Sequence, residues 1–353
     1  MSAPQQMRAW QYTNNRGGVA KKLRLESNVK VPKPSGPKEM LVKVLTISLN
    51  PVDHKPAETL LYHFTFSKPT TPGADFVGEV VQIPPGCSFQ KGDRVFGTAK
   101  NAFAGGMLAE YAIADTDRVV LLGDITPEEG AAIPIAGLTA YQSILPRVKP
   151  KSRIFINGGS GGTGTFGIQI AIAAGHTVTV SCSGRNAEVC RSLGAEVIDY
   201  TQSTLFQDLK AASIQRKFDL VVDNIYTTPE LFWKAHEYTT KDALYVLTPF
   251  TPTSPSFMKH FLPMKLLPRF LGGGQRKLIN FFSQPDLDQL TQMRDWIADK
   301  QIKVVFDCAL PFEQAKQAFE RIATGRTVGK IIVKVAETRS GEKDRDSVRS
   351  LDT

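Results

Sequence analysis

The run with the most specific chemistry is Asn157-Gly158-Gly159-Ser160-Gly161-Gly162-Thr163-Gly164, in which Gly159, Gly161 and Gly164 keep a GxGxxG spacing. An apolar run, Arg153 to Asn157, precedes it, and a helical apolar pattern from Thr163 to Ala174, closed by Gly175, follows. A strand that turns through glycines into a helix is suited to a diphosphate. Glycine permits the tight turn and close backbone approach, and the helix start offers unbonded N–H groups at the positive end of its dipole. A lone glycine-rich run would also suit a flexible loop; the flanking strand, the helix and a second strand at Thr177 to Ser181 favour the nucleotide. Gly159, Ser160, Gly161, Gly162, Thr163 and Gly164 are therefore the expected diphosphate contacts.

The second strand says which dinucleotide. NAD-selective sites place an acid about 20 residues beyond the turn to hold the ribose 2′-hydroxyl. No carboxylate occurs from Gly164 to Ala187, and the strand runs out into Ser181-Cys182-Ser183-Gly184-Arg185. A hydroxyl and a guanidinium there suit a 2′-phosphate. NADPH is the expected cofactor, held by Ser183 and Arg185. If Arg185 contributes ~1.5–3 kcal/mol, the preference over NADH is at least ~tenfold. The plainer alternative is a solvated arginine beside a helix start.

The elements that position these residues divide the 353-residue chain in two. From Met7 to about Asp124 the apolar runs are short and broken by Pro-Ser-Gly-Pro and Pro-Pro-Gly, which reads as a β-rich domain. After Thr126-Pro127-Glu128-Glu129, an N-cap followed by proline and a carboxylate, strands alternate with helices. Strands are expected at Phe218 to Asp223 and Leu244 to Leu247, and helices at Asn186 to Leu193 and Asp286 to Lys300. The fold class is α/β, with a doubly wound parallel sheet. Ile302 to Asp307, Phe312 to Ala323 and Lys330 to Val335 read as strand, helix and strand. The expected division is 1–126 with a return over 302–336, a dinucleotide domain over 127–301, and a tail over 337–353 too polar to pack.

Composition excludes several classes. With 42% hydrophobic and 22% charged residues the chain is neither disordered nor fibrous. Its net charge of +9 would suit an anionic partner, but the basic residues are scattered and no nucleic-acid module is present, so nucleic acid is not an expected partner. Cys87, Cys182, Cys190 and Cys308 contain no CxxC pair. Neither a leader-like apolar stretch nor a spanning segment is visible, so the expected compartment is the cytoplasm.

Further motifs occur in order along the chain. They are Ser48-Leu49-Asn50-Pro51-Val52-Asp53-His54-Lys55, Pro72-Gly73-Ala74-Asp75-Phe76-Val77-Gly78-Glu79-Val80, Gly92-Asp93-Arg94-Val95, Gly106 to Tyr111, Ala136-Gly137-Leu138-Thr139-Ala140-Tyr141 and Gly329-Lys330. With these the chain resembles the medium-chain dehydrogenase/reductase superfamily, in its zinc-free quinone oxidoreductase-like and enoyl reductase branch, from about Met7 to Val335. The resemblance implies a GroES-like catalytic domain with the Rossmann domain inserted in it, the cofactor in the cleft between them, and a homodimer or a monomer. It also places Asn50 and Asp53 near the nicotinamide ribose and substrate, Thr139 near the nicotinamide amide, Ser183, Arg185 and Tyr200 near the adenosine 2′-phosphate, and Lys330 at the cleft. Asn50 to Asp53 would equally serve as a turn capping a helix, Thr139 as a helix residue, and Tyr200 as a buried strand-end aromatic. Tyr62, His54 and His63 are candidate proton donors, of which Tyr62 is grouped with Asn50 and Asp53 as catalytic.

The zinc-dependent alcohol dehydrogenases of the superfamily carry Cys near Asn50, His-Glu at Ala74-Asp75 and Cys near Ala136. Those donors are absent, so no metal is expected. Hydride transfer without a Lewis acid needs an acceptor that is already electrophilic, a quinone or an α,β-unsaturated carbonyl, including an enoyl intermediate of a larger metabolite. A cofactor-binding regulatory protein with little turnover is the alternative from another class.

One segment stands apart. Between Thr251 and Gln284 there is no acid, while Lys259, Lys265, Arg269, Arg276 and Lys277 interleave with Phe261, Leu262, Leu266, Leu267, Phe270, Phe281 and Phe282. Residues 258–282 could meet a membrane interface, or form a pocket lid or subunit contact. Pro263, Pro268 and Gly272-Gly273-Gly274 are expected to interrupt any long helix there.

Overall fold

The computed structural model describes residues 3–14, 17–55, 57, 68–226, 229–248 and 255–336. Tyr62, His63 and the 337–353 tail lie outside them.

The first half of the chain builds an antiparallel sheet around one long strand. β1 (Gln6–Gln11) and β2 (Arg24–Lys30) pair as a separate ribbon. β3 (Glu39–Leu49) is nearly all apolar and buried on both faces, so it takes the centre of the main sheet. It pairs with β4 (Asp75–Gln82) and with β6 (Tyr111–Asp115). β5 (Arg94–Thr98) and β7 (Val119–Leu121) extend the sheet beyond β4.

Thr126 then caps α1 (Pro127–Ala132). Its hydroxyl accepts from the Glu129 amide at 3.2 Å, and Glu129 answers to the Thr126 amide at 2.9 Å. α1 lies on β3 and β4, so the helix following Thr126 belongs to the first sheet. α2 (Pro134–Ile144) follows it and packs on α3 (Gly162–Ala173).

The second sheet is fully parallel: β8 (Arg153–Asn157), β9 (Thr177–Cys182), β10 (Glu196–Asp199), β11 (Phe218–Asp223), β12 (Thr239–Leu247) and β13 (Lys277–Asn280). Their spatial order is β10-β9-β8-β11-β12-β13, the doubly wound arrangement in which the chain reverses direction between β8 and β11. Crossovers include α3, α4 (Ala187–Ser192) and α5 (Pro255–Leu266). α6 (Leu287–Ala298), capped by Asp286, leads back. β14 (Phe306–Pro311), α7 (Ala315–Ala323) and β15 (Lys330–Lys334) return to the first sheet, where β15 pairs antiparallel with β3.

The two sheets share apolar contacts. Val77 and Phe96 of the first pack with Leu138 of α2, Phe166 and Ile170 of α3 and Met293 of α6 in one buried cluster. Each such side chain contributes ~1.5–3 kcal/mol through burial, which seats the two domains against each other.

Two expectations are corrected. The strand expected at Ile302 to Asp307 begins only at Phe306, because the Lys303 backbone is held by a side chain. Gln169 accepts from Lys303 N at 2.8 Å and donates to Lys303 O at 2.9 Å, which removes both groups from any ladder. Pro263 lies inside α5 instead of ending it; Phe261 and Met264 bury one side of the helix, and Leu267 N still donates to Pro263 O at 2.9 Å. Pro268 and the three glycines do follow the helix end.

Candidate active site

The glycine turn lies between β8 and α3, beside the reversal point of the parallel sheet, where such sheets open a crevice for ligands. Gly159 is pressed on Val180, which a Cβ would meet at 2.5 Å, and on Gly164 a Cβ would fall 2.2 Å from Gly158 O. These two glycines are required by the turn itself. Gly161 differs: with φ −77° it has an ordinary backbone, and its Cβ would meet only Gly158 O at 3.8 Å. No side chain caps α3, and its first ladder bond is Thr165 N to Gly161 O. The amides of Thr163 and Gly164 thus have no acceptor within the helix, and Gly161 leaves open space beside them, whereas Gly162 is covered by Gly329 and Lys330 of the C-terminal return. This cradle fits a dinucleotide diphosphate.

At the end of β9, Ser183 is nearly buried and Arg185 exposed, its guanidinium without a described partner. Tyr200 stands half exposed, so it is not a buried strand-end aromatic. The rim contains two features that reading along the chain misses. Asp199, at the end of β10, lies against Gly184, where a Cβ would meet Oδ2; hydrogen bonds from the Thr201 hydroxyl and amide hold its carboxyl below the usual range. Further along the rim, Arg185 and Asn186 face Arg321, Thr324, Arg326 and Val328 of the C-terminal return across an open cavity of about 540 Å³. Arg321 is committed to Asp307 by two 2.7 Å hydrogen bonds, whereas Arg326 has no described side-chain partner. The spacing of Arg321 and Arg326 from Lys330 gives no sign of this; only β15 pairing with β3 brings them to the rim.

The same return carries Gly329-Lys330 onto the glycine turn. Gly329 N donates to Ser160 O at 2.9 Å, and a Cβ on Gly162 would lie 2.7 Å from Lys330 Cδ. The Lys330 ammonium is buried and donates to Asn50 Oδ1 at 2.5 Å and to Leu49 O at 3.2 Å. Asn50 in turn donates to Asp75 Oδ2 at 2.8 Å, and Asp75 also accepts from Ile135 N at 3.1 Å in the first turn of α2. Asp53 accepts from Asn50 N at 2.6 Å. All four side chains are shut away from solvent.

Burial pushes the Asp53 carboxyl up to about 7, against the pull of the Asn50 amide, with the Asp75 charge adding to the rise. Burial likewise raises Asp75 to about 6, opposed first by Lys330. The Lys330 ammonium is lowered by burial despite both carboxyls. Asn50, expected to face the substrate, instead spends its side chain on Lys330 and Asp75, and Asp53 accepts from the Asn50 amide within the same buried cluster. Their turn does cap a one-turn helix at Pro51–Asp53.

Thr139 sits on α2 with its hydroxyl donating to Ser283 Oγ at 3.1 Å. Next to Ser283, the Phe282 ring stands edge-on to Phe103 of the first domain, centroids 6.0 Å apart. Tyr62, the expected catalytic tyrosine, and His63 lie outside the described residues; His54 is buried.

Among the described residues no three His, Cys, Asp or Glu side chains converge to hold a metal ion. Where the superfamily's zinc ligands would fall, the chain presents an amide, one carboxylate and an ammonium already seated on the amide. That donor set does not fit Zn²⁺.

Comparison with known proteins agrees with this architecture. Residues 36–124 match the alcohol dehydrogenase GroES-like domain and residues 193–333 the zinc-binding dehydrogenase family. The chain is 38% identical to the trans-enoyl reductase pgmF of Aspergillus terreus, over 96% of this chain and 98% of that protein. It is 32% identical to a chloroplastic quinone-oxidoreductase homolog of Spinacia oleracea, over 93% and 98% of the two. The solved quinone oxidoreductase of Coxiella burnetii superposes with a TM-score of 0.79 at 26% identity, covering 94% of this chain and 99% of that one. The chain belongs to the medium-chain dehydrogenase/reductase superfamily, among its quinone oxidoreductase and enoyl reductase members, and is an oxidoreductase of the nicotinamide-using type.

Proposed function

We propose that the chain is a zinc-independent, NADPH-dependent reductase of conjugated carbonyl acceptors: a quinone, an α,β-unsaturated ketone or aldehyde, or an enoyl intermediate. One observation carries this reading. The dinucleotide turn abuts a buried cluster that holds a lysine ammonium where metal-assisted alcohol chemistry needs thiolate or imidazole donors.

A reduced nicotinamide bound in the cleft supplies the hydride. The turn amides of Thr163 and Gly164 hold the diphosphate, with Gly159, Ser160, Gly161 and Gly162 shaping the approach. Ser183, Arg185 and Tyr200, joined by Arg326, receive the 2′-phosphate, and Thr139 orients the nicotinamide amide. Lys330, fixed by Asn50 and Leu49 O, keeps a positive charge beside the turn. Asp53 and Asp75 favour that charge electrostatically, and Asp75 orients Asn50 beneath the ammonium. An acceptor with its own conjugation needs no Lewis acid, so the protein's work is orientation and exclusion of water. The names of the trans-enoyl reductase and quinone-oxidoreductase relatives support this acceptor class.

The test has two stages. Titration of the purified chain with NADPH and with NADH, followed by nicotinamide fluorescence, is expected to show at least ~tenfold tighter NADPH binding. Oxidation of NADPH is then followed across quinones and enones on protein whose zinc content has been measured. Cofactor binding without turnover of any acceptor would favour a regulatory protein, and stoichiometric zinc would overturn the metal-free reading.

A further inference from the structure

α5 and the turn after it are not absorbed by the reductase chemistry. The helix is two-sided: Phe261 and Met264 are buried, Met264 among Phe155, Phe206 and Phe232, while Lys259, Leu262, Lys265 and Leu266 face out. Positions 259, 262 and 266 follow the i, i+3, i+7 spacing of one helical face. Beyond Pro268 the chain presents Phe270 at 84% exposure and Leu271 at 61%, next to Leu266 at 70%. Most of the chain's exposed large apolar side chains are scattered singly, whereas Leu262, Leu266, Leu267, Phe270 and Leu271 are gathered within ten residues.

Charge selects what covers this surface. No acidic residue occurs between Asp242 and Asp286, and no described carboxylate pairs with Lys259 or Lys265. A second copy meeting the patch about a two-fold axis would bring its own Lys259 and Lys265 to a segment that offers them no carboxylate between 243 and 285, so charge gives self-association no support. A surface segment that mixes exposed apolar and cationic side chains, with no acidic residue of its own, matches an anionic bilayer. No described helix is long and apolar enough to cross a membrane, so the contact would be peripheral.

We infer that the outer face of α5 and the Phe270-Leu271 turn form a peripheral docking surface for anionic lipid. Leu262, Leu266, Phe270 and Leu271 enter the headgroup boundary, and Lys259 and Lys265 draw the face to negative charge. The inference is independent of the acceptor chemistry and stands or falls separately from it.

Flotation of the full chain with phosphatidylcholine vesicles, and with vesicles that also contain phosphatidylserine, tests it. Binding is expected only to the anionic vesicles, and ~0.5 M salt, which shortens the Debye length to a few Å, is expected to release it. The double variant Phe270→Glu/Leu271→Glu is expected to cut partitioning at least ~tenfold, and Lys259→Glu/Lys265→Glu to abolish the preference for anionic lipid, each with NADPH binding intact. Absence of flotation overturns the proposal. So does binding that Phe270→Glu/Leu271→Glu leaves unchanged, or a dimer in sedimentation equilibrium that this variant dissolves, which would assign the face to a second copy.

Discussion

Asp53, Asp75, Asn50 and Lys330 share one buried site and settle their charges among themselves. With both carboxyls ionised the cluster would hold two negative charges against a single ammonium, and burial resists that by raising both acids. The folded chain therefore binds a proton at Asp53 across a range where the unfolded chain has released it. Stability must fall as pH rises from ~4, the unfolded value, to about 7, the folded one; the Asp53 contribution is complete below that window and gone above it. Asp53→Asn keeps the shape and an oxygen for the Asn50 amide but removes the titration. In urea melts the variant should gain on the parent steadily between pH 4 and 7, by up to ~4 kcal/mol in total. Stability curves for the two proteins that run parallel through that window would mean Asp53 is ionised throughout.

At the level of elements, the parts that sequence made legible are those whose signal is local. β8, the glycine turn and α3 form one contiguous pattern, and β11 follows from an apolar run ending at Asp223; both fall where expected. What sequence could not show depends on partners remote in the chain. The Lys303 backbone is bonded by Gln169, so a strand pattern over 302–305 is overruled. Asp199 meets Gly184 only because β10 pairs with β9, which puts an acid at a rim that looked free of acids when read as far as Ala187. Asn50 and Asp53 were visible as a pair, but not that Lys330 and Asp75 hold the Asn50 side chain between them.

The glycine turn permits a test that separates folding from binding. Gly164→Ala drives a Cβ into Gly158 O and should lower stability by ~1–3 kcal/mol. Gly161→Ala meets nothing closer than 3.8 Å and has a backbone any residue adopts, so its melting temperature should match the parent. Its NADPH affinity should nonetheless drop ~tenfold or more, because the added methyl occupies the approach to the diphosphate. A Gly161→Ala protein that binds NADPH as the parent does would place the diphosphate elsewhere.

Across the whole molecule, the decisive feature is that the C-terminal return closes on the dinucleotide domain at two points. Gly329 and Lys330 lie on the glycine turn, and Arg326 faces Arg185 over the rim cavity. A 2′-phosphate in that cavity would be held by guanidinium groups from both domains. Arg321 contributes less, since Asp307 already neutralises it. NADPH should therefore stabilise the domain arrangement as well as fill a site: at 100 times its dissociation constant a ligand specific for the native state adds ~2.7 kcal/mol to unfolding. Arg326→Gln should weaken NADPH binding ~tenfold and reduce the thermal shift NADPH produces, while leaving NADH binding unchanged, because only the phosphate reaches across the domains. Calorimetric titration with both cofactors reads this directly. Equal losses for NADPH and NADH would mean Arg326 supports the turn instead of the phosphate, and no loss for either would confine 2′-phosphate recognition to Ser183, Arg185 and Tyr200 on the dinucleotide domain alone.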